Sequence, residues 1–187
     1  PSALNKLGLA WPVLQRDHPQ LCCVAIVGAP GLRAEEPGHD LTYMAENGLV
    51  NDLALPASLF ADMGGSLLVT ETVLQALMLR QQRQGLGSHH EVALNGAAAY
   101  LGLPRTWGLT TPDGAVGGAH AGYQVYACKG GRVAVAALEP HFARSLCQVA
   151  KVPPAVQAQG MMAPRLHQHL KRWFAGQTRD QLNRLAQ

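Results

Sequence analysis

His39, Asp40, Tyr43, Asp62, Glu139 and His141 are the polar side chains whose settings could carry chemistry. His39 follows Gly38 at the end of a loop, where an imidazole can reach a ligand. Histidine titrates near neutrality, as a general base must. The plainer reading, that His39 caps the next helix or bonds a carbonyl, leads when the residue is taken singly. Asp62 stands just before Gly64 and Gly65, where the sequence turns into a long apolar helix. A carboxylate there faces free backbone N–H groups and the positive end of the helix dipole. The two glycines would let a ligand approach the backbone. Asp is also a preferred capping residue, and capping is the first reading of Asp62 alone. Glu139 follows an apolar strand directly, at a strand-to-helix turn. In isolation it reads as a charge complementing the dipole of the following helix.

Other chemistries find no footing. His89 and His90 lie where a helix has stopped, with no carboxylate or cysteine partner at metal spacing. His167 and His169 stand two apart, on different sides of a helix. Both pairs read as surface histidines, and no metal site is expected. There is no GxGxxG after a strand, no GxxxxGK[ST] and no GxSxG elbow.

Local signals predict the elements that must position these residues. Ser2 to Leu7 is a short helix closed by Gly8, and Trp11 to Asp17 another, with Pro12 tolerated in its first turn. The unbroken apolar run from Leu21 to Val27 predicts a strand buried on both faces, as in a parallel sheet. Residues 28–38 form a loop long enough to be functional or mobile. A short helix over 40–47 ends at Gly48. Residues 64–84 form a long helix, apolar nearly all round until Arg80 and therefore expected to be buried centrally. Gly85-Leu86-Gly87 stops it, ahead of a short strand over 91–94 and a small helix over 95–101. Residues 103–122, rich in Gly, Pro, Thr and Ala, read as a linker. Tyr123-Gln124-Val125-Tyr126, then Lys129-Gly130-Gly131, then the alternation from Arg132 to Ala137 is a hairpin signature. A helix opens at Glu139-Pro140 and runs to about Ala150, with a loop after it. Helices over 164–175 and 178–185 follow, the last with a capping box of Thr178 and Gln181. Residues 21–101 thus read as part of an α/β layer structure, and residues 123 onward as a small α+β unit.

Composition narrows the class. A chain of 187 residues can build one domain with a real core or two small ones. With 48% hydrophobic and 14% charged residues, it has a globular profile rather than a disordered one. The net charge of +3 comes from scattered basic residues, with no basic run interleaved with aromatics, which argues against nucleic acid as a partner. The four cysteines lack metal-ligand spacing and read as reduced, buried thiols of a cytoplasmic protein. No signal peptide or membrane span is visible. The nearest candidate, residues 67–79, carries Thr70, Glu71, Thr72 and Gln75. The chain opens on a helical turn already under way, so residues upstream are expected.

Several motifs in order carry a resemblance. Gly38-His39-Asp40-Leu41-Thr42-Tyr43, Asp62-Met63-Gly64-Gly65 and Arg83-Gln84-Gly85-Leu86-Gly87 come first. Gly117-Gly118, Tyr123 to Tyr126, Gly130-Gly131-Arg132 and Ala137-Leu138-Glu139-Pro140-His141-Phe142 follow. Together they resemble the class III CoA-transferase family (CaiB/BaiF), which includes carnitine and formyl-CoA transferases and α-methylacyl-CoA racemases. The resemblance implies that residues 1–103 are part of a Rossmann-like large domain with a parallel sheet. Residues 104–121 would be a linker, and residues 122–187 a small α+β domain. It implies a homodimer of interlocked subunits, coenzyme A thioesters as substrates rather than a tightly held cofactor, and no metal. It places Asp62 at the catalytic aspartate. In racemases this residue would exchange the α-proton of a 2-methylacyl-CoA with His39, supported by Glu139 from the small domain of the partner subunit. In transferases it would form an aspartyl intermediate. Gly38, His39 and Tyr43 would border CoA, and N–H groups near Gly64 and Gly65 would stabilise an enolate oxygen. His39 with Glu139 tilts the reading slightly towards the racemase branch. Glu91 stands where the family usually has Asp. Family members are longer, so the resemblance also implies a truncated chain whose strand edges and long helix lack cover. A remnant that binds or assembles without turnover is the alternative to an enzyme.

Overall fold

The computed structural model describes residues 2–186, which fall into two compact units meeting at Leu103 and Pro104. In the first unit, helices α1 (Ser2–Lys6) and α2 (Trp11–Asp17) precede strand β1 (Cys23–Val27). Helices α3 (Asp40–Glu46) and α4 (Phe60–Gln82) carry the chain back to strand β2 (His89–Ala93), and helix α5 (Leu94–Leu101) follows at once. β1 and β2 pair in parallel, Cys23 opposite His89 and Val27 opposite Ala93. A parallel pair needs such a crossover, because a tight turn cannot return the chain to the same end.

Four expectations for this unit change. The strand starts at Cys23 rather than Leu21, because the Leu21 N–H is drawn back to His18 O in a turn. Its two faces are not both covered: Val27 is buried but Ile26 is 60% exposed. An open groove of about 670 Å³ lies between Cys22, Val24, Val73 and Leu77. The third change concerns α4, which begins four residues before Gly64. Mid-helix glycine costs about 0.5–1 kcal/mol against alanine, and here the packing of α5 demands it. A Cβ on Gly65 would lie 2.3 Å from Leu94 Cδ2, and one on Gly64 3.3 Å from Leu101 Cδ1. Nor is α4 buried centrally. Ala61, Gly65 and Ala76 are its buried residues, while Leu67, Leu74 and Met78 stand well exposed. Among the described residues no helix is long and apolar enough to cross a membrane.

The loop before α3 is anchored. Gly31 N–H donates to Glu91 Oε1 at 3.0 Å, Asn95 N–H donates to Gly28 O at 2.9 Å, and Arg33 pairs with Glu36 and Glu46. Exposed ion pairs of that kind contribute about 1 kcal/mol or less, so the backbone bonds dominate. His89 and His90 lie in β2. The exposed His89 ring sits 5.4 Å from Trp11, and His90 Nε2 is 2.7 Å from Ser88 Oγ.

In the second unit, helix α6 (Leu103–Thr106) starts at the junction and a wide turn covers Ala115–Ala119. Strands β3 (Tyr123–Cys128) and β4 (Gly131–Ala136) form an antiparallel hairpin. Gly130 takes φ 78° in its turn, as the sequence predicts. Helices α7 (Pro140–Val149), α8 (Pro154–Gln157), α9 (Pro164–Ala175) and α10 (Arg179–Leu185) follow. The core gathers Tyr126, Cys147, Leu166, Leu170 and Phe174. Tyr126 stacks on Phe174 at 4.5 Å and donates to Ala121 O, and burial pushes its phenol up to about 12. The stretch read as linker is therefore partly structural, since Ala121 is fully buried. His167 and His169 are half-buried rather than on the surface, because their Nε2 atoms reach Ala119 O and Ala150 O and tie α9 to earlier loops. α10 has the capping box its sequence predicts. Cys128 and Cys147 are buried, and Cys22 and Cys23 half-buried, all as free thiols.

Candidate active site

Two helix starts meet in the first unit. His39 precedes α3, and the Thr42 hydroxyl holds its backbone from both sides, accepting the His39 N–H at 3.1 Å and donating to His39 O at 2.7 Å. The residue is exposed. Asp40, next in the chain, is only 5% exposed, and its Oδ1 accepts the N–H of Asp62 at 3.0 Å. Asp62 is the third residue of α4 and half-buried. Its main chain is thereby fixed while its carboxylate remains within reach of solvent. The positive end of α4 favours the Asp40 carboxylate that accepts from its first turn.

Tyr43 completes the group from beneath. It is buried with Met44, Ala61 and Ala98. Its ring fills a slot that glycine alone leaves open: a Cβ on Gly28 would lie 2.2 Å from Tyr43 Oη, and one on Gly38 2.6 Å from it. Burial, then the charges of Asp62 and Glu46, push the phenol pKa up, so Tyr43 stays a neutral hydroxyl. Gly38 and Tyr43, expected to border a ligand, thus touch each other. Gly28→Ala should displace the ring and destabilise the unit by about 1–3 kcal/mol, as overpacking does. The urea midpoint checks this, and an unchanged midpoint would mean that the ring swings aside freely.

Gly64 and Gly65 do not hold the N–H groups expected of them. They lie inside α4, where N–H groups point to earlier carbonyls of the helix. The groups without an intrahelical partner belong to the first turn, Phe60 to Asp62. Met63 N–H already reaches Leu59 O.

The structure places His39, Asp40, Tyr43 and Asp62 in the first unit, where Asp40 bonds the Asp62 N–H, Tyr43 feels the Asp62 charge and His39 is the chain neighbour of Asp40. Glu139 belongs to the second, exposed at the residue before α7, where its side chain makes no cap bond. His141 lies one residue into α7, its ring 4.0 Å from Phe142. Asp40 has a role that the sequence did not assign to it. The signal was present: α4 is preceded by Leu59, which has no side-chain oxygen to cap it. Among the described residues no group of three or more His, Cys, Asp or Glu could hold a metal ion.

The family model for CoA-transferase family III matches residues 1–187. A CaiB/BaiF CoA-transferase family protein of Caenorhabditis elegans is 27% identical over 170 residues, covering 81% of this chain and 50% of that protein. The α-methylacyl-CoA racemase of Mus musculus is 26% identical over 156 residues, covering 74% of this chain and 41% of that protein. The chain therefore spans half or less of those relatives. Crystal structures of a hypothetical protein from Mycobacterium tuberculosis and of a CaiB/BaiF family protein from Brucella suis share its fold. Their TM-scores are 0.79 and 0.73, at 21% and 22% identity, over 99% of this chain and 56% and 55% of theirs.

Proposed function

We propose, from the premise that the chain belongs to CoA-transferase family III, that its site exchanges the α-proton of a 2-methylacyl-CoA thioester. The observation that supports this reading is the hydrogen bond from the Asp62 N–H to Asp40, the chain neighbour of His39, which joins the two helix starts that carry the pair. One of the pair takes the α-proton, and the C–H electrons pass into an enolate on the thioester oxygen. The other returns a proton to the opposite face, and C–H re-forms with inverted configuration. Of the first-turn N–H groups of α4, Asp40 takes that of Asp62 and Ala61 is fully buried, which leaves the Phe60 N–H as the available donor to the enolate oxygen. Glu139 of a partner subunit in a homodimer would support the pair, and the parallel strands would form part of a larger Rossmann-like sheet. The thioester is a substrate, with no resident cofactor. Likeness to a protein named α-methylacyl-CoA racemase favours this reading.

The second reading is CoA transfer, favoured by the family description. The half-buried Asp62 carboxylate would attack the thioester carbonyl, forming an acyl–aspartyl anhydride and expelling CoA thiolate.

One experiment separates them. A single epimer of 2-methylacyl-CoA is incubated with the chain in D2O, alongside a mixture of acyl-CoA and labelled carboxylic acid. Deuterium at the α-carbon with inversion supports the first reading, and label appearing in acyl-CoA supports the second. Bound CoA without either reaction would identify a binding or assembly unit.

A further inference from the structure

We propose that Asp40 is the positioning residue of this site, a cap in trans that sets where Asp62 stands relative to His39. The inference rests on the reading of His39 and Asp62 as the reacting pair.

An α-helix leaves its first N–H groups unpaired, and a side-chain oxygen at the residue before it ordinarily accepts from the second or third of them. For α4 that residue is Leu59, which makes no such bond. The acceptor comes instead from Asp40, and the amide it accepts is that of Asp62 itself. Asp40 is the buried charged residue among those described, at 5% exposure. A carboxylate out of water is costly unless hydrogen-bonded, so one kept here must be held by its partner. The covalent route between the two segments is an irregular link over residues 48–59: Leu49 and Val50 pack on the cluster of Tyr43, Met44, Ala61 and Ala98, but beyond them Leu53 and Leu55 lie open to solvent and Asp52 takes a φ of 50°. His39, by contrast, is the chain neighbour of Asp40 and is gripped by Thr42. The polar connection from one reacting residue to the other is thus one peptide bond and one hydrogen bond, beside the apolar cluster that packs α3 on α4.

Geometry and charge can be separated at this position. Asp40→Asn keeps an oxygen acceptor of the same shape and loses the charge, whereas Asp40→Ala loses both. A positioning role predicts that the Ala variant loses about 100-fold in kcat, the scale of a misplacement near 1 Å, with KM for the thioester unchanged. The Asn variant should recover most of that kcat. A second readout needs no turnover: in the full chain, the Asp62 amide proton should exchange faster and shift upfield with Ala, and stay near wild type with Asn. Both results together support the proposal. An Asp62 amide indifferent to the Ala substitution overturns it, as does an Asn variant that loses as much kcat as Ala while its Asp62 amide is retained. If the Ala variant does not fold, the Asn variant decides on the same two readouts. If the wild-type chain shows no turnover, the function reading fails, while the amide still tests the cap.

Discussion

Replacing Asp62 by Asn is expected to lower α-proton exchange by about 10²–10⁴-fold, the usual weight of a positioned general base, and to leave the fold in place. The bond between this residue and Asp40 runs through the Asp62 main-chain N–H, so changing its side chain leaves the bond intact. The side chain is half-buried and takes part in no hydrogen bond that anchors the unit, so the change in stability should stay within about 0.5 kcal/mol, as at other undemanding positions. Mass spectrometry of the recovered thioester reads the exchange, and a urea titration reads the stability. The variant also sorts the two chemistries. In the proton-exchange reading, His39 can still label one epimer slowly without inverting it. In the transfer reading, the acyl–enzyme that hydroxylamine traps in wild type disappears altogether. A variant that retains exchange within a factor of about ten, against the loss a general base predicts, would move the base to another residue.

Gly87→Ala is expected to damage the first unit more than any change at the site. A Cβ there would lie 1.8 Å from Leu21 O and 2.4 Å from Leu21 C, and these are main-chain atoms that cannot swing aside. Gly87 N–H also donates to Pro19 O at 2.8 Å. The segments leading into β1 and β2 therefore cross at contact distance, and one methyl group must part them. A cost of about 3 kcal/mol, the upper end of ordinary overpacking, follows. It would be read as a fall in the urea midpoint of the full chain, with loss of the Trp11 environment beside β2. An unchanged midpoint would show that these two segments can separate without loss.

The parts of the fold written in neighbouring residues were legible in the sequence. The hairpin announced itself through Lys129-Gly130-Gly131, and α10 through Thr178 and Gln181, because a turn or a cap is settled within four residues. Gly64 and Gly65 misled, since a glycine pair marks a helix start only when nothing distant asks for it. Here Leu94 and Leu101 do. The histidines of α9 misled likewise: their partners, Ala119 and Ala150, lie far off in sequence. The unbroken apolar character of β1 and α4 predicted burial that this chain does not provide, since Ile26 and Leu67 stand open. At the candidate site, motif and chemistry single out His39 and Asp62. Asp40 was visible as a residue but not as a link, because its partner is an amide of another helix.

The register of the two sheets has a kinetic consequence. Cys128 and Gly131 face each other across a two-residue turn, whereas Cys23 must wait for His89. Closing the longer loop costs more chain entropy before any contact rewards it, so ladders of that kind form late. During synthesis β1 emerges, and all of α4 follows, before the partner strand exists. Throughout that interval the edge of β1 that β2 will pair is unpartnered, the condition in which nascent chains aggregate or call on chaperones. The second unit, with its strands adjacent in sequence, has no such waiting time.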